Sequence, residues 1–334
     1  MVSIRFCRAD ELDKLQKFID EKWRKGHRLG YDQDLMHWQH LNKTNNNIHF
    51  VIALDDEINK IIAILGFIPL SQYDNALESE KDLWLAIWKT DETNPRSKGT
   101  GIQLLEFLIE YYQPKSIGAI GINARVKKLY QALRFKTDVL QQYYFLNPEI
   151  KEYKIASAPV AAINVAFLQS DIEIKEIKEL SSVKDLLIQA SPKKSIDYCI
   201  QRYGRHPYYN YLFYGVYHKE KIETLWVIRK IEVNGSSCLR LVDMIGNLSL
   251  QESLSSQLLQ LLRLHQAEYI DCLCYGIKEE IFSAQGFRKR TDSIIIPNYF
   301  EPFERRNIDI EFAYKTFRQE YIIFKGDSDQ DRPN

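Results

Sequence analysis

At 334 residues the chain is about twice the usual single-domain length of roughly 150, and its 45% hydrophobic and 27% charged residues are those of a folded protein of two domains. Forty-five Lys plus Arg balance forty-five Asp plus Glu, which argues against a general binder of nucleic acid or anionic membrane. The five cysteines, Cys7, Cys199, Cys238, Cys272 and Cys274, are scattered without a CxxC pair, so a disulfide scaffold and a zinc ribbon drop out and no metal is expected. Ile61 to Leu70, the longest apolar stretch, is about half of the roughly 20 residues a membrane helix needs and contains Gly66 and Pro69. No signal-peptide core stands at Met1 to Asp10, and a reduced cytoplasm is the expected compartment.

Val2 to Cys7 alternates as a strand, and Asp10 is placed to cap a helix through Leu12, Leu15, Phe18 and Ile19. A short helix at Gln33 to Leu41 precedes strands at His49 to Leu54 and Lys60 to Pro69, joined by the polar turn Asp55 to Asn59. Leu83 to Lys89 reads as a fourth strand, and a loop from Thr90 to Gly99 leads into the amphipathic helix Thr100 to Tyr112. A strand at Ile117 to Ile122, a helix from about Ala124 to Leu133 and a strand at Asp138 to Leu146 complete this half. Residues 151–171 read as a linker between a domain at 1–150 and one at 172–334.

The second half repeats the order. Ile172 to Ile177 is a strand, Val183 to Gln189 and Ser195 to Tyr203 are helices, and Tyr211 to Tyr217 with Ile222 to Val233 forms a hairpin. Leu239 to Ile245, a helix at Leu250 to His265, Tyr269 to Tyr275 and a helix at Lys278 to Ala284 follow. Strand, two helices, three strands, helix, strand, helix, strand occurs twice, which points to duplication of one α/β unit built on a mixed sheet.

Arg96, Ser97, Lys98, Gly99, Thr100 and Gly101 match R/Q-x-x-G-x-G/A between a strand and a helix. Such a turn aims successive backbone amides at one point, and its glycines let a diphosphate approach. With Asn123 after the next strand and Tyr130 on the following helix, the chain resembles the GNAT superfamily of acyl-CoA N-acyltransferases, with the unit in tandem. Arg134 departs from the glycine that often stands there. The resemblance implies an acyl-CoA, such as acetyl-CoA, bound by the loop residues, by backbone around Trp88 and Lys89, and by Asn123 along the pantetheine arm. It also implies Tyr130 as the acid that protonates the departing thiolate. The competing reading of Tyr130 is a ring packed between helix and sheet. In the second half Gly246 to Ser249 has no basic residue and Phe282 stands where Tyr130 would, so that unit is expected not to bind coenzyme A.

For the base, His27 lies in the region that closes over the acceptor in this superfamily, and Asp91 and Glu92 follow the fourth strand. Asp243 and Arg229, on strands of the second half, form either a structural ion pair or a hold on a polar acceptor, with Asp243 as a further base candidate. Arg202, Tyr203, His206 and Tyr208 make an aromatic and cationic cluster suited to a sugar or a nucleotide, or else to a hairpin core. The Asp-rich end, Gly326 to Pro333, lacks the glutamate of a calcium loop and has the composition of a frayed tail. The chain also resembles tandem GNAT-like proteins encoded with bacterial surface-polysaccharide enzymes, which implies a small amine acceptor, most plausibly a nucleotide-linked amino sugar. A non-catalytic carbohydrate- or protein-binding module and a Fem-type aminoacyl-tRNA-dependent ligase are the alternatives.

Overall fold

The computed structural model describes residues 1–159, 170–183, 186, 191–300 and 303–331. The first half gives β1 (Val2–Arg8), α1 (Leu12–Phe18), α2 (Gln33–His40), β2 (Leu41–Asn42), β3 (Asn47–Asp55), β4 (Lys60–Pro69), β5 (Asp82–Thr90), α3 (Thr100–Tyr112), β6 (Ser116–Ile120), α4 (Ala124–Ala132), β7 (Lys136–Val139) and β8 (Gln141–Leu146). There follow β9 (Ile172–Glu176), α5 (Ile196–Cys199), β10 (Tyr211–His218), β11 (Lys221–Val233), β12 (Ser236–Gly246), α6 (Ser255–His265) and β13 (Ala267–Tyr275). The chain then forms α7 (Glu279–Gln285), β14 (Arg288–Lys289), β15 (Tyr299–Phe300), β16 (Phe303–Glu304), β17 (Glu311–Thr316) and β18 (Ile323–Phe324).

The helix expected at Val183 to Gln189 falls mostly outside the described residues. The one expected at Ser195 to Tyr203 is α5 followed by a wide turn over Ile200–Gly204. Asn247 accepts from the amide and hydroxyl of Ser249 and holds that segment in a turn, so α6 begins at Ser255 instead of Leu250.

Two mixed sheets form the framework. The first runs β1-β3-β4-β5-β6-β17-β7, with β2 beside β3, and the second runs β14-β8-β13-β12-β11-β10-β9, with β18 beside β13. Only β5–β6 and β12–β13 are parallel. Reading each sheet from its β1 or β9 edge gives the same order of strands, except that the place after β6 is filled by β17 and the place after β13 by β8. Each sheet therefore contains a strand from the opposite half of the sequence. The single strand expected over Asp138 to Leu146 is two, because the chain leaves the first sheet at Leu140 and enters the second at Gln141. In β17, Phe312 and Ala313 are both fully buried and join cores on opposite faces of the first sheet, the alternation of a strand covered on both sides.

Helices α3 and α4 pack on one face of the first sheet through Leu104, Leu105, Leu108 and Tyr130. Leu15 and Phe18 of α1 and Leu35 and Met36 of α2 cover part of the other face. The rest of that face, including Ile68, Trp84 and Ile120, meets Leu225, Val227 and Val242 of the second sheet in a shared core. Each such side chain contributes about 1.5–3 kcal/mol on burial, so the halves join as a domain interior does.

The Asp-rich end is part of this interior. Asp327, Ser328, Asp329 and Asp331 are all buried, which overturns the expectation of a frayed tail for these residues. Lys194 places its ammonium 2.7 Å from Asp243 and 2.8 Å from Asp327, and Arg229 lies 3.3 Å from Asp331. Buried carboxylates persist where cations neutralise them, and these cations come from distant sequence.

Candidate active site

The pairing of β5 with β6 runs from Asp82–Ser116 to Leu85–Ala119 and then ends, although β5 continues to Thr90. On its other edge β5 remains bonded to β4 as far as Thr90–Ala63, with a bulge between Leu85 and Trp88. A bulge inserts an unpaired residue and increases local twist, which swings the remainder of β5 away from β6. Ala86 to Thr90 thus present a row of strand donors and acceptors to an opening in the sheet. This is where the sequence placed the thioester backbone site, around Trp88 and Lys89.

The turn after β5 is built locally. Asp91 accepts from the Thr93 amide and hydroxyl, the Asn94 side chain accepts from the Arg96 amide, and Ser97 donates its hydroxyl to the carbonyls of Asp91 and Asn94. Thr100 donates its hydroxyl to the Ser97 carbonyl. Ser97 and Thr100 thereby shape the turn with buried side chains, while the amides of Thr100, Gly101 and Ile102 make no bond among the described residues. Gly99 caps α3 at φ 84°, a left-handed conformation that costs a residue with a Cβ, and a Cβ there would meet no atom within 4 Å. The amides of Thr100, Gly101 and Ile102 precede the first intrahelical bond, from Gln103 to Gly99, and lie at the positive end of the helix. The indole of Trp88 donates to the Gly101 carbonyl at 3.1 Å and fixes strand to helix beside the opening.

Arg96 is not directed at those amides. Its guanidinium pairs with Asp55 at 2.9 Å and with Glu57 at 2.5 Å on the β3–β4 turn, and it borders a cleft of about 770 Å³ that Lys14, Lys17 and Lys22 also line. Lys98 is exposed and forms no ion pair among the described residues, and Lys89 reaches Glu92 at 3.5 Å. Asn123 is exposed and caps α4, its side-chain oxygen accepting from the Val126 amide. Tyr130, 2% exposed, sits between Trp88 (ring centroids 5.6 Å) and Phe135 (5.0 Å). Its hydroxyl has no hydrogen-bond partner among the described residues, and burial pushes its acidity well below that of a free phenol.

The expected bases are held in different ways. His27 is buried in the loop between α1 and α2. Asp243 is fully buried and saturated: it accepts from Lys194, from the Tyr203 hydroxyl at 2.7 Å and from the Met244 amide. A carboxylate neutralised in this way is structural, but its cation is Lys194 and not Arg229, which pairs with Asp331 instead. Burial raises the Asp91 carboxyl, but bonds from Thr93 and Lys22 outweigh it and leave a net shift downward, which makes a weak base.

The cluster expected to hold the acceptor holds the chain itself. Arg202, buried among the rings of Trp38, Tyr73 and Tyr203, donates to the carbonyls of Gly326 and Ser328 at 3.2 and 2.7 Å. Arg229 stacks 4.1 Å above Tyr209 and pairs with Asp331, which also accepts from Tyr211 at 2.6 Å. His206 accepts at Nδ1 from the amides of Tyr208 and Tyr209, and burial holds its pKa down to about 3. The Tyr208 hydroxyl donates to Asp32, joining the halves. Sequence reasoning found these residues and missed their occupant, since segments over 120 residues apart in sequence carry no shared pattern.

The second sheet opens in the same way and is filled. Pairing of β12 with β13 ends at Leu241–Cys272. Just beyond, Lys325 donates its amide to Leu273 at 3.0 Å and Gly326 donates to Val242 at 2.8 Å, bridging the parted strands. Phe282 stacks on Tyr143 at 4.0 Å and offers no polar group. The segment then crosses to the first sheet, where Ser328 donates its hydroxyl to the Leu85 carbonyl at 2.9 Å. Gln330 packs so tightly on Gly121 that a Cβ there would lie 2.4 Å from its side-chain oxygen. Among the described residues, the terminal segment therefore meets the first opening at its narrow end, through Ser328 and Gln330.

No protein-family model matches the chain. No curated protein matches it in sequence. Among solved structures it is similar to a GCN5-related N-acetyltransferase from Anabaena variabilis, at 9% identity and TM-score 0.56, over 94% of this chain and 72% of that one. It is also similar to a conserved protein of unknown function from Enterococcus faecalis, a probable N-acyltransferase, at 8% identity and TM-score 0.53, over 95% and 72%. With the split parallel pair and the glycine turn in place, the chain has the GNAT fold, in two sheets of like order.

Proposed function

We propose that the chain is an acyl-CoA-dependent N-acyltransferase working at the opening between β5 and β6. The observation that carries this reading is the free β5 edge at Ala86 to Thr90 directly followed by the unpaired amides of Thr100 to Ile102. The amides and the helix end suit the diphosphate of coenzyme A, and the strand edge suits the amide groups of its pantetheine arm. The acceptor amine adds its lone pair to the thioester carbonyl carbon, backbone N–H groups of β5 hold the resulting oxyanion, and the carbon–sulfur bond then breaks. Tyr130 gives its proton to the leaving sulfur, and the proton lost by the amine restores the phenol. Burial keeps that phenol protonated at neutral pH, as an acid must be.

The acceptor is proposed only as a primary amine. A nucleotide-linked amino sugar loses the support of Arg202 and Arg229, whose polar groups are spent on the terminal segment, and of Tyr203, which donates to Asp243. The alternative is a non-catalytic module that keeps the fold. Thiol release from acetyl-CoA with a panel of amines separates the two. We expect Tyr130→Phe to lower kcat at least tenfold with coenzyme A affinity kept, and Gly99→Asp to abolish the thermal stabilisation that coenzyme A confers. Unchanged kcat removes Tyr130 from the chemistry, and coenzyme A binding that survives Gly99→Asp removes the turn.

A further inference from the structure

Alternate residues of a strand direct their N–H and C=O groups to opposite sides. The Asp91 amide donates to Ile62 of β4, so the polar groups of Thr90 and, with regular pairing between them, of Trp88 are directed away from β4 and into the split between β5 and β6. The two ends of this row have different neighbours. Beside Thr90 stands the first turn of α3, where a Cβ on Gly101 would lie 3.2 Å from Thr90 and 3.4 Å from Trp88. At Leu85, whose pairing with Ala119 is the last between the strands, stands the terminal segment.

Ser328 and Gln330 meet the two lips of the split at that end. Ser328, 3% exposed, donates its hydroxyl to the Leu85 carbonyl at 2.9 Å on the β5 lip. The Gln330 side chain packs on Gly121, which follows β6 directly, has φ 76° and has no room for a Cβ beneath that side chain. Buried ions hold the segment on either side of Ser328. Arg202 donates to the Ser328 carbonyl at 2.7 Å, Asp327 pairs with Lys194, and Asp331 pairs with Arg229. Charge-assisted contacts of this kind are strong, and a wall so anchored yields little to a ligand pressed against it.

With a diphosphate at the amides of Thr100 to Ile102, beside Thr90, a pantetheine arm runs down the split toward Leu85. Thr90 and Leu85 are five residues apart, about 16 Å of strand. About thirteen bonds separate a coenzyme phosphate oxygen from the thioester carbon, roughly 15 Å when extended. The thioester carbon therefore falls within about one residue of Leu85, and the group attached to it grows toward Ser328 and Gln330. At about 1.3 Å of rise per bond, one or two further carbons fit before that wall. We propose that Ser328 and Gln330 set the length of the acyl group, admitting acetyl and propionyl and excluding butyryl and longer chains. This rests on the transferase reading of the same opening and names the donor class for it.

The full chain is titrated by calorimetry, without an acceptor amine, with coenzyme A, acetyl-CoA, butyryl-CoA and octanoyl-CoA. Acetyl-CoA should bind at least tenfold more tightly than butyryl-CoA, and octanoyl-CoA should bind more weakly still. Ser328 has φ 57°, which glycine adopts freely, so Ser328→Gly removes the hydroxymethyl group without disturbing the backbone. Combined with Gln330→Ala, it should bring the affinities for butyryl-CoA and acetyl-CoA to within threefold of each other. Should the double variant not fold, Gln330→Ala alone replaces it and should shift their ratio at least threefold. If neither coenzyme A nor acetyl-CoA binds, the transferase reading fails and takes this proposal with it. If both bind, the length limit alone is overturned when the wild type holds butyryl-CoA as tightly as acetyl-CoA, or when the ratio is unchanged in the variant that folds.

Discussion

The two parallel strand pairs, β5–β6 and β12–β13, part at equivalent places and meet opposite fates. In the second, the amides of Lys325 and Gly326 bridge Leu273 and Val242, so the exposed strand groups are satisfied by the chain itself. In the first, among the described residues, the same segment meets the narrow end through Ser328 and Gln330 and makes no backbone bond to Ala86 to Thr90. A duplicated unit thus has one opening available for a ligand and one spent on folding. Unpaired strand groups in an interior are costly, so an opening that no ligand fills is closed by backbone or lost.

The largest effect expected from breaking this arrangement comes from separating the halves. Residues 1–150 alone lack β17, and residues 170–334 alone lack β8, so neither fragment should give a cooperative thermal transition by circular dichroism; co-expressing them should restore one. Next, Lys194→Met leaves Asp243 and Asp327 buried together without their cation and should cost about 3–5 kcal/mol in urea unfolding, far more than a surface lysine. An unchanged unfolding midpoint contradicts the role given to this pair.

A pH effect follows from the same cluster. Burial, against the pull of Lys194, pushes the Asp327 carboxyl up to about 6, above its unfolded range near 4. The folded state therefore holds the proton more tightly, its stability contribution is full below about pH 4, and it is lost as pH rises through 6. Relative to the wild type, Asp327→Asn should remove that decline, which unfolding at pH 4, 5, 6 and 7 would reveal.

The smallest effects sharpen the contrast between the openings. Phe282→Tyr should leave coenzyme A binding at one molecule per chain by calorimetry, because Lys325 and Gly326 still fill that opening. Arg96→Ala should weaken coenzyme A less than threefold, since the guanidinium is committed to Asp55 and Glu57; a tenfold loss would mean that it turns toward the ligand.

Local features were legible in the sequence. The side chains of Asp91, Asn94, Ser97 and Thr100 shape their turn through bonds between residues at most six apart, and strand, turn and helix signals there coincide. The strand exchange was not legible, because Asp138 to Leu146 holds no glycine or proline to mark a break and a strand pattern does not say which sheet receives it. The burial of the Asp-rich end was hidden for another reason: aspartates read as solvated until their cations, here Lys194 and Arg229, are located in space. Asp243 as a base fails on the same ground, since it is spent on Lys194.

The reciprocal placement of β8 and β17 has a consequence for how such a molecule comes apart. A single peptide-bond cleavage between residues 159 and 170 would leave two polypeptides hooked through one another's sheets, held by every backbone bond of two interior strands. A nicked preparation should run as two bands on a denaturing gel yet elute as one species of full size, so loss of covalent continuity there is not loss of the folded particle.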